Sequence, residues 1–146
     1  MKVDKSFIPD VDSSSYYLRP TAMSLTNKLG VIKPTRSAIY LMGCPVSSYF
    51  YKSEICLGVN ETYHRNTPKN CGEYKLSANY GPTTYLTNES GIKDGTSQLI
   101  WTYDEMLLES GASNILFVIK DNEGKKLVTH PVDGLILEGN TRAAIL

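Results

Sequence analysis

The chain has 146 residues, 41% of them hydrophobic and 21% charged, with 15 basic and 15 acidic side chains and a formal net charge of zero. The composition is that of an ordinary globular protein, and a domain of this length buries roughly 68–70% of its unfolded surface, enough to fold without disulfides or metal. Zero net charge supplies no attraction toward nucleic acid or an anionic membrane surface, so neither is expected as a partner. No apolar run approaches the ~20 residues that span a bilayer.

In chain order, residues Met1 to Ser14, with a charged start, Pro9 and a run of aspartates and serines, read as a linker. Tyr16 to Met23, Ser37 to Cys44 and Glu54 to Val59 are β-type runs bounded by turn residues, and Asn27 to Arg36 is a loop containing Gly30 and Pro34. Pro82 to Gly95 carries Tyr85, Leu86, Glu89 and Ile92 at helical spacing, with Pro82 in the first turn and Gly91 or Gly95 at the stop. A β series follows: Gln98 to Tyr103, Met106 to Glu109, Asn114 to Lys120 and Lys126 to Thr129, the last two joined through Asp121-Asn122-Glu123-Gly124. The second half therefore predicts one helix on an antiparallel or mixed sheet, an α+β arrangement. Asn140 to Leu146 begins like a capped helix and stops within a turn or two, short of the ~12–15 residues an isolated helix needs.

Cys44, Cys56 and Cys71 have irregular gaps that fit neither a disulfide framework nor a metal pair, so reduced thiols are expected. His64 and His130 are far apart and show no carboxylate or cysteine at ligand spacing, so no metal is expected. Asn60-Glu61-Thr62 and Asn88-Glu89-Ser90 match glycosylation acceptors, but Met1 to Asp10 lacks a secretory signal, and both read as surface loops.

The chemistry concentrates in Gly72-Glu73-Tyr74-Lys75-Leu76-Ser77-Ala78-Asn79-Tyr80-Gly81-Pro82, which sets a lysine between an apolar strand and a tight polar turn. A lysine drawn into a cleft loses hydration of its ammonium, and its freed amine can condense with a carbonyl. This string resembles the pyridoxal-phosphate lysine segment of branched-chain amino-acid aminotransferases, with Ser77-Ala78 where the family has Gly-Gly. Four further blocks fit in the family's order: Tyr17-Leu18-Arg19-Pro20, Cys44 to Phe50, Glu109 to Asn114 and Pro131 to Arg142. The resemblance runs from about Val3 to Leu146.

The resemblance implies the aminotransferase class IV (D-amino-acid aminotransferase-like) fold, with a linker over 1–14 and a large cofactor-binding domain over 15–146 that is incomplete at its C-terminal side. It also implies pyridoxal 5'-phosphate as cofactor and Lys75 as both its covalent partner and the base that moves the substrate proton, a role contributing ~10²–10⁴-fold in rate. Glu109 would pair with the pyridine nitrogen and keep it protonated. Tyr80 would hydrogen-bond the cofactor's phenolic oxygen, and the backbone amides of Asn140 and Thr141 would seat the phosphate, with Arg65 nearby. Tyr17 and Arg19, alternating on one strand face, would line the substrate pocket together with Ala112, the arginine gripping the carboxylate of glutamate or 2-oxoglutarate.

Glu138 stands where the family has proline, Ala112-Ser113 where it has Thr-Met, and Asn66 to Cys71 where it has a glycine-rich approach; a carboxylate at Glu138 would repel a phosphate unless it points to water. The implied reaction moves the amino group of leucine, isoleucine or valine to 2-oxoglutarate, in a homodimer located in the cytoplasm or mitochondria. As an internal fragment the chain alone is expected to be weakly active or inactive. Two alternatives stand beside this: another class IV transaminase or lyase, and a non-catalytic homologue that serves as a binding or dimerisation partner.

Overall fold

The computed structural model describes residues 3–10, 14–47 and 54–146. Ser48, Tyr49 and Phe50, at the end of the second family-like block, lie outside the described residues. The chain divides into two compact units, Met1–Ser53 and Glu54–Leu146.

In the first unit, Lys5–Phe7 makes a single 3-10 turn inside the segment read as a linker. Strands β1 (Ser15–Ser24) and β2 (Ser37–Val46) then form an antiparallel hairpin in unbroken register, Ser15 opposite Val46 and Ser24 opposite Ser37. The long connection is closed by polar bonds: Leu25 N–H donates to the Arg36 carbonyl at 2.9 Å, and Thr35 N–H to the Thr26 hydroxyl at 2.8 Å. The Tyr16 ring packs over Gly43, where an added Cβ would lie 2.6 Å from it and push the ring aside.

The second unit holds a mixed three-stranded sheet of order β3-β4-β5 and a separate hairpin β6-β7. Strand β3 (Leu57–Asn60) is shorter than the expected Glu54–Val59 and runs parallel to β4 (Gln98–Tyr103). A parallel pair needs a crossover, and here it carries the lysine segment and helix α1 (Gly81–Asp94). Pro82 opens α1, and Gly95 closes it in the left-handed region at φ 68°, its N–H bonded to the Gly91 carbonyl. Asn88-Glu89-Ser90 therefore belongs to a helix and is not the loop expected of it; Asn60 ends β3 and bonds the Tyr63 carbonyl.

Strand β5 (Met106–Ser110) returns antiparallel to β4 through a two-residue turn. Ile100 pairs with Ser110 while Thr102 pairs with Leu107, so Leu108 and Glu109 together oppose Trp101. That is a β-bulge, which breaks the alternation of faces and re-aims a side chain. Its effect shows in the burial: Leu108, Glu109 and Ser110 are consecutive and all buried. Trp101 is fully buried, and Leu108 packs with Leu135 and Ile136, with Tyr103 against them.

Strands β6 (Phe117–Asp121) and β7 (Gly124–Val128) meet at Asp121 and Gly124 as expected, but β6 begins later than Asn114. Asn114 instead forms an isolated bridge to Glu109. At the exposed tip, Lys126 reaches Asp121 at 2.8 Å and Glu123 at 2.7 Å, holding the Asp121 carboxyl below its ordinary range. Cys44, Cys56 and Cys71 are exposed free thiols. No helix among the described residues is long and apolar enough to cross a membrane.

The β4–β5 turn forces Asp104 (φ 48°) and Glu105 (φ 61°) into the left-handed region, which costs a non-glycine residue roughly 1–2 kcal/mol. Asn-Gly is the pair such turns favour. Asp104→Asn with Glu105→Gly is expected to stabilise the chain by about 1 kcal/mol, read as a higher denaturant midpoint at unchanged slope; a lower midpoint would refute the turn assignment.

Candidate active site

The site begins with how the sequence bends around Lys75. No strand immediately precedes it, contrary to expectation; residues 71–74 are a turn, and Gly72 lets the backbone come close to its neighbours. A Cβ at Gly72 would collide with the Asn66 side-chain amide and sit 2.5 Å from the Gly134 carbonyl oxygen. Buried Asn79 then staples the turn, its amide donating to the carbonyls of Cys71 at 2.8 Å and Tyr74 at 3.0 Å. The 3-10 turn Ser77–Asn79 brings Tyr80 back over the lysine. Lys75 Nζ donates to the Tyr80 hydroxyl at 2.6 Å and lies 3.9 Å from the ring centroid. Lys75 is exposed, so the desolvated amine expected from the sequence is not met; the amine stands at the rim of an open cleft.

Opposite it, the bulge in β5 turns Glu109 inward, where it is 3% exposed. Its Oε1 lies 2.9 Å from Arg65 Nη1, its Oε2 accepts from Asn114 Nδ2 at 2.8 Å, and both oxygens share the Leu137 N–H at 3.2 Å. Burial pushes the Glu109 carboxyl above its ordinary value, while Arg65 and the Leu137 N–H pull it back. Asn114 also donates to the Leu137 carbonyl at 2.8 Å, so one amide fixes both the acid and the segment that follows. Gly139 must lack a side chain, because a Cβ there would run into the Asn114 amide.

That segment is held from its other end by His130, which lies 3.0 Å from the Asp133 carboxylate and whose carbonyl accepts from Arg142 at 2.9 Å. His130 thus does have a carboxylate three residues on, contrary to the sequence reading, although among the described residues no group could hold a metal ion. Helix α2 (Asn140–Ile145) is capped by Gly139 without any side-chain cap bond, so neither Asn140 nor Thr141 is its cap.

Lys75, Tyr80, Glu109, Ala112, Asn140 and Thr141 all line one cavity of about 310 Å³. Glu138 is exposed and lies outside the cavity lining, which removes the repulsion anticipated from its charge. Arg65 is also outside the lining, buried behind Glu109. Tyr17 and Arg19 belong to the Met1–Ser53 unit, where they share a face of β1 and the guanidinium lies 5.3 Å from the tyrosine ring. The sequence reading missed Asn79 and Asn114 as supports. Both stood inside quoted blocks, but only their paired hydrogen-bond partners, invisible in a linear string, mark them.

No family model matches the chain. Its likeness to individual proteins is extensive: it is 39% identical to the cytosolic branched-chain-amino-acid aminotransferase of Saccharomyces cerevisiae over 98% of the chain. It is 34% identical to the mitochondrial enzyme of Rattus norvegicus and 32% to the cytosolic enzyme of Mus musculus, each over the full chain. Over nearly its whole length the chain is similar to branched-chain aminotransferases. It spans 39%, 38% and 39% of the length of those three relatives. The cavity brings together Lys75, Tyr80 and the buried Glu109.

The raised Glu109 carboxyl fixes a pH dependence. Between its ordinary value of 4.5 and its higher folded value, the native chain binds more protons than the unfolded one, so stability falls as pH rises through that window. Glu109→Gln is expected to flatten this slope while lowering stability overall by roughly 3–5 kcal/mol, because Arg65 stays buried without its anion. Denaturant midpoints taken from pH 4 to pH 8 test it; a slope retained in the variant would assign the titration elsewhere.

Proposed function

We propose that this chain is the cofactor-binding part of a branched-chain aminotransferase of the class IV fold, which in the complete protein exchanges an amino group between leucine, isoleucine or valine and 2-oxoglutarate. The observation that carries the reading is the placement of the Lys75 amine, bonded to the Tyr80 hydroxyl, on the same cavity as the Glu109 carboxylate. The residues fit pyridoxal 5'-phosphate. A carboxylate offers about four lone-pair sites, and Glu109 receives Arg65, Asn114 and one Leu137 N–H, which leaves an acceptor for a ring nitrogen. When bound, the cofactor supplies an aldehyde and an electron-withdrawing ring.

The chain's own groups divide the remaining work. Lys75 supplies the amine and, once free, holds and moves a proton at Nζ. Tyr80 positions that amine through its hydroxyl and would hold the phenolic oxygen. Glu109, wedged by its three donors, would keep the ring nitrogen protonated. The amides of Asn140 and Thr141 would face the phosphate, Ala112 the substrate, and Tyr17 with Arg19 the substrate carboxylate. The relatives' names, cytosolic and mitochondrial, support one of those two compartments for the complete protein, and a homodimer is its proposed assembly.

Adding pyridoxal phosphate to the purified chain is expected to give a yellow absorbance band, and borohydride reduction to fix the added mass on Lys75; Lys75→Ala loses both. A colourless wild-type chain would overturn the reading. Because its amine is exposed to water, the chain alone is expected to turn over leucine and 2-oxoglutarate at less than about a hundredth of the rate of a full-length enzyme, within the range one positioned base contributes. Robust turnover in a coupled glutamate assay would refute that.

A further inference from the structure

Arg65 does not line the cavity, yet it touches both groups that define it. Its side chain is 1% exposed, with Nη1 2.9 Å from Glu109 Oε1, and its guanidinium carbon lies 5.3 Å from the centroid of the Tyr80 ring, the same ring on which the Lys75 amine rests. The same Nη1 donates to the Gly72 carbonyl at 3.3 Å, three residues before the lysine. We propose that Arg65 is a positioning residue, which from behind the cavity holds Glu109 as an anion and steadies the Tyr80 ring beneath Lys75.

Three observations support this. The other donors to Glu109, the Asn114 amide and the Leu137 N–H, are neutral, and an isolated buried carboxylate takes up a proton rather than remain charged. Arg142, the guanidinium in the cavity wall, donates to the His130 carbonyl instead, while Lys75 reaches Glu109 only through its field, which lowers the carboxyl less than Arg65 does. Finally, Arg65 Nε and Nη2 are buried without a partner. Unsatisfied buried donors oppose folding, so hydrogen bonding alone does not account for this guanidinium; its charge and its flat face are what the site uses.

The test does not need the cofactor. In the chain alone, the side-chain carboxyl carbon of Glu109 is followed by NMR against pH, in wild type and in Arg65→Met, after thermal melting has shown the variant folded. The midpoint is expected to rise by one pH unit or more, about a tenfold gain in proton affinity; a folded variant with an unchanged midpoint overturns the proposal. Should Arg65→Met not fold, Arg65→Gln, which keeps a donor toward Glu109, is judged by the same criterion. The bearing on the cofactor rests on the reading given under Proposed function. There, Arg65→Met is expected to shift the pH midpoint of the yellow band in the same direction as Glu109→Gln, with the double variant adding little; additive shifts would overturn action through Glu109. A rise in the Glu109 midpoint in a chain that never turns yellow would support the Arg65 assignment while overturning the cofactor reading.

Discussion

The second unit depends on one buried carboxylate and the backbone N–H that it receives. Glu109 of β5 and Leu137 of the loop before α2 are 28 residues apart in sequence, and their bond ties the sheet to the segment carrying Gly139, Asn140 and Thr141. Leu135 and Ile136, packed on Leu108, supply the apolar part of the same junction. The apolar contact of Leu108 and the polar contact of Glu109 are adjacent in the chain, so neither can slide without breaking the other. A buried acid is a poor source of stability by itself. Here it also holds the backbone at Leu137, three residues before a six-residue helix begins.

The two ends of the cavity are built by different physical means. At the lysine end the backbone is shaped by local bonds: the amide of Asn79 gathers two carbonyls, and a short 3-10 turn returns Tyr80 to Lys75. At the acid end the geometry comes from distant pairings, through the bulge in β5 and the bridge from Asn114. Arg65 joins the two, with Glu109 on one side and Tyr80 on the other. The amine is left in water and the acid out of it, which gives the two groups different environments within one hollow.

Much of this was legible in the sequence, and what was not has identifiable causes. The existence of β1 and β2, though not their pairing, helix α1 with its Pro82 start and Gly95 stop, and the β6-β7 turn all follow from β-type runs and turn residues, which are local signals. The motif order around Lys75, Glu109 and Gly139 pointed to groups that do share a cavity. Non-local effects were hidden. The apolar look of Ile55 and Cys56 suggested strand where pairing begins only at Leu57, and Asn114 read as strand because its bridge to Glu109 cannot be seen in a string. The lysine's expected strand neighbour gave way to a turn because Gly72 approaches Gly134 and Leu135, residues far along the chain.

The bulge in β5 carries an implication for how this protein tolerates change. Since Leu108 and Glu109 jointly oppose Trp101, the acid's inward direction is set by the number of residues between Leu107 and Ser110 and only secondarily by their kind. Removing Leu108 would restore a regular pleat, in which neighbouring side chains take opposite faces. A carboxylate would then still be encoded but would project from the wrong side of the sheet. Drift by substitution is thus far safer for this strand than drift by single-codon deletion.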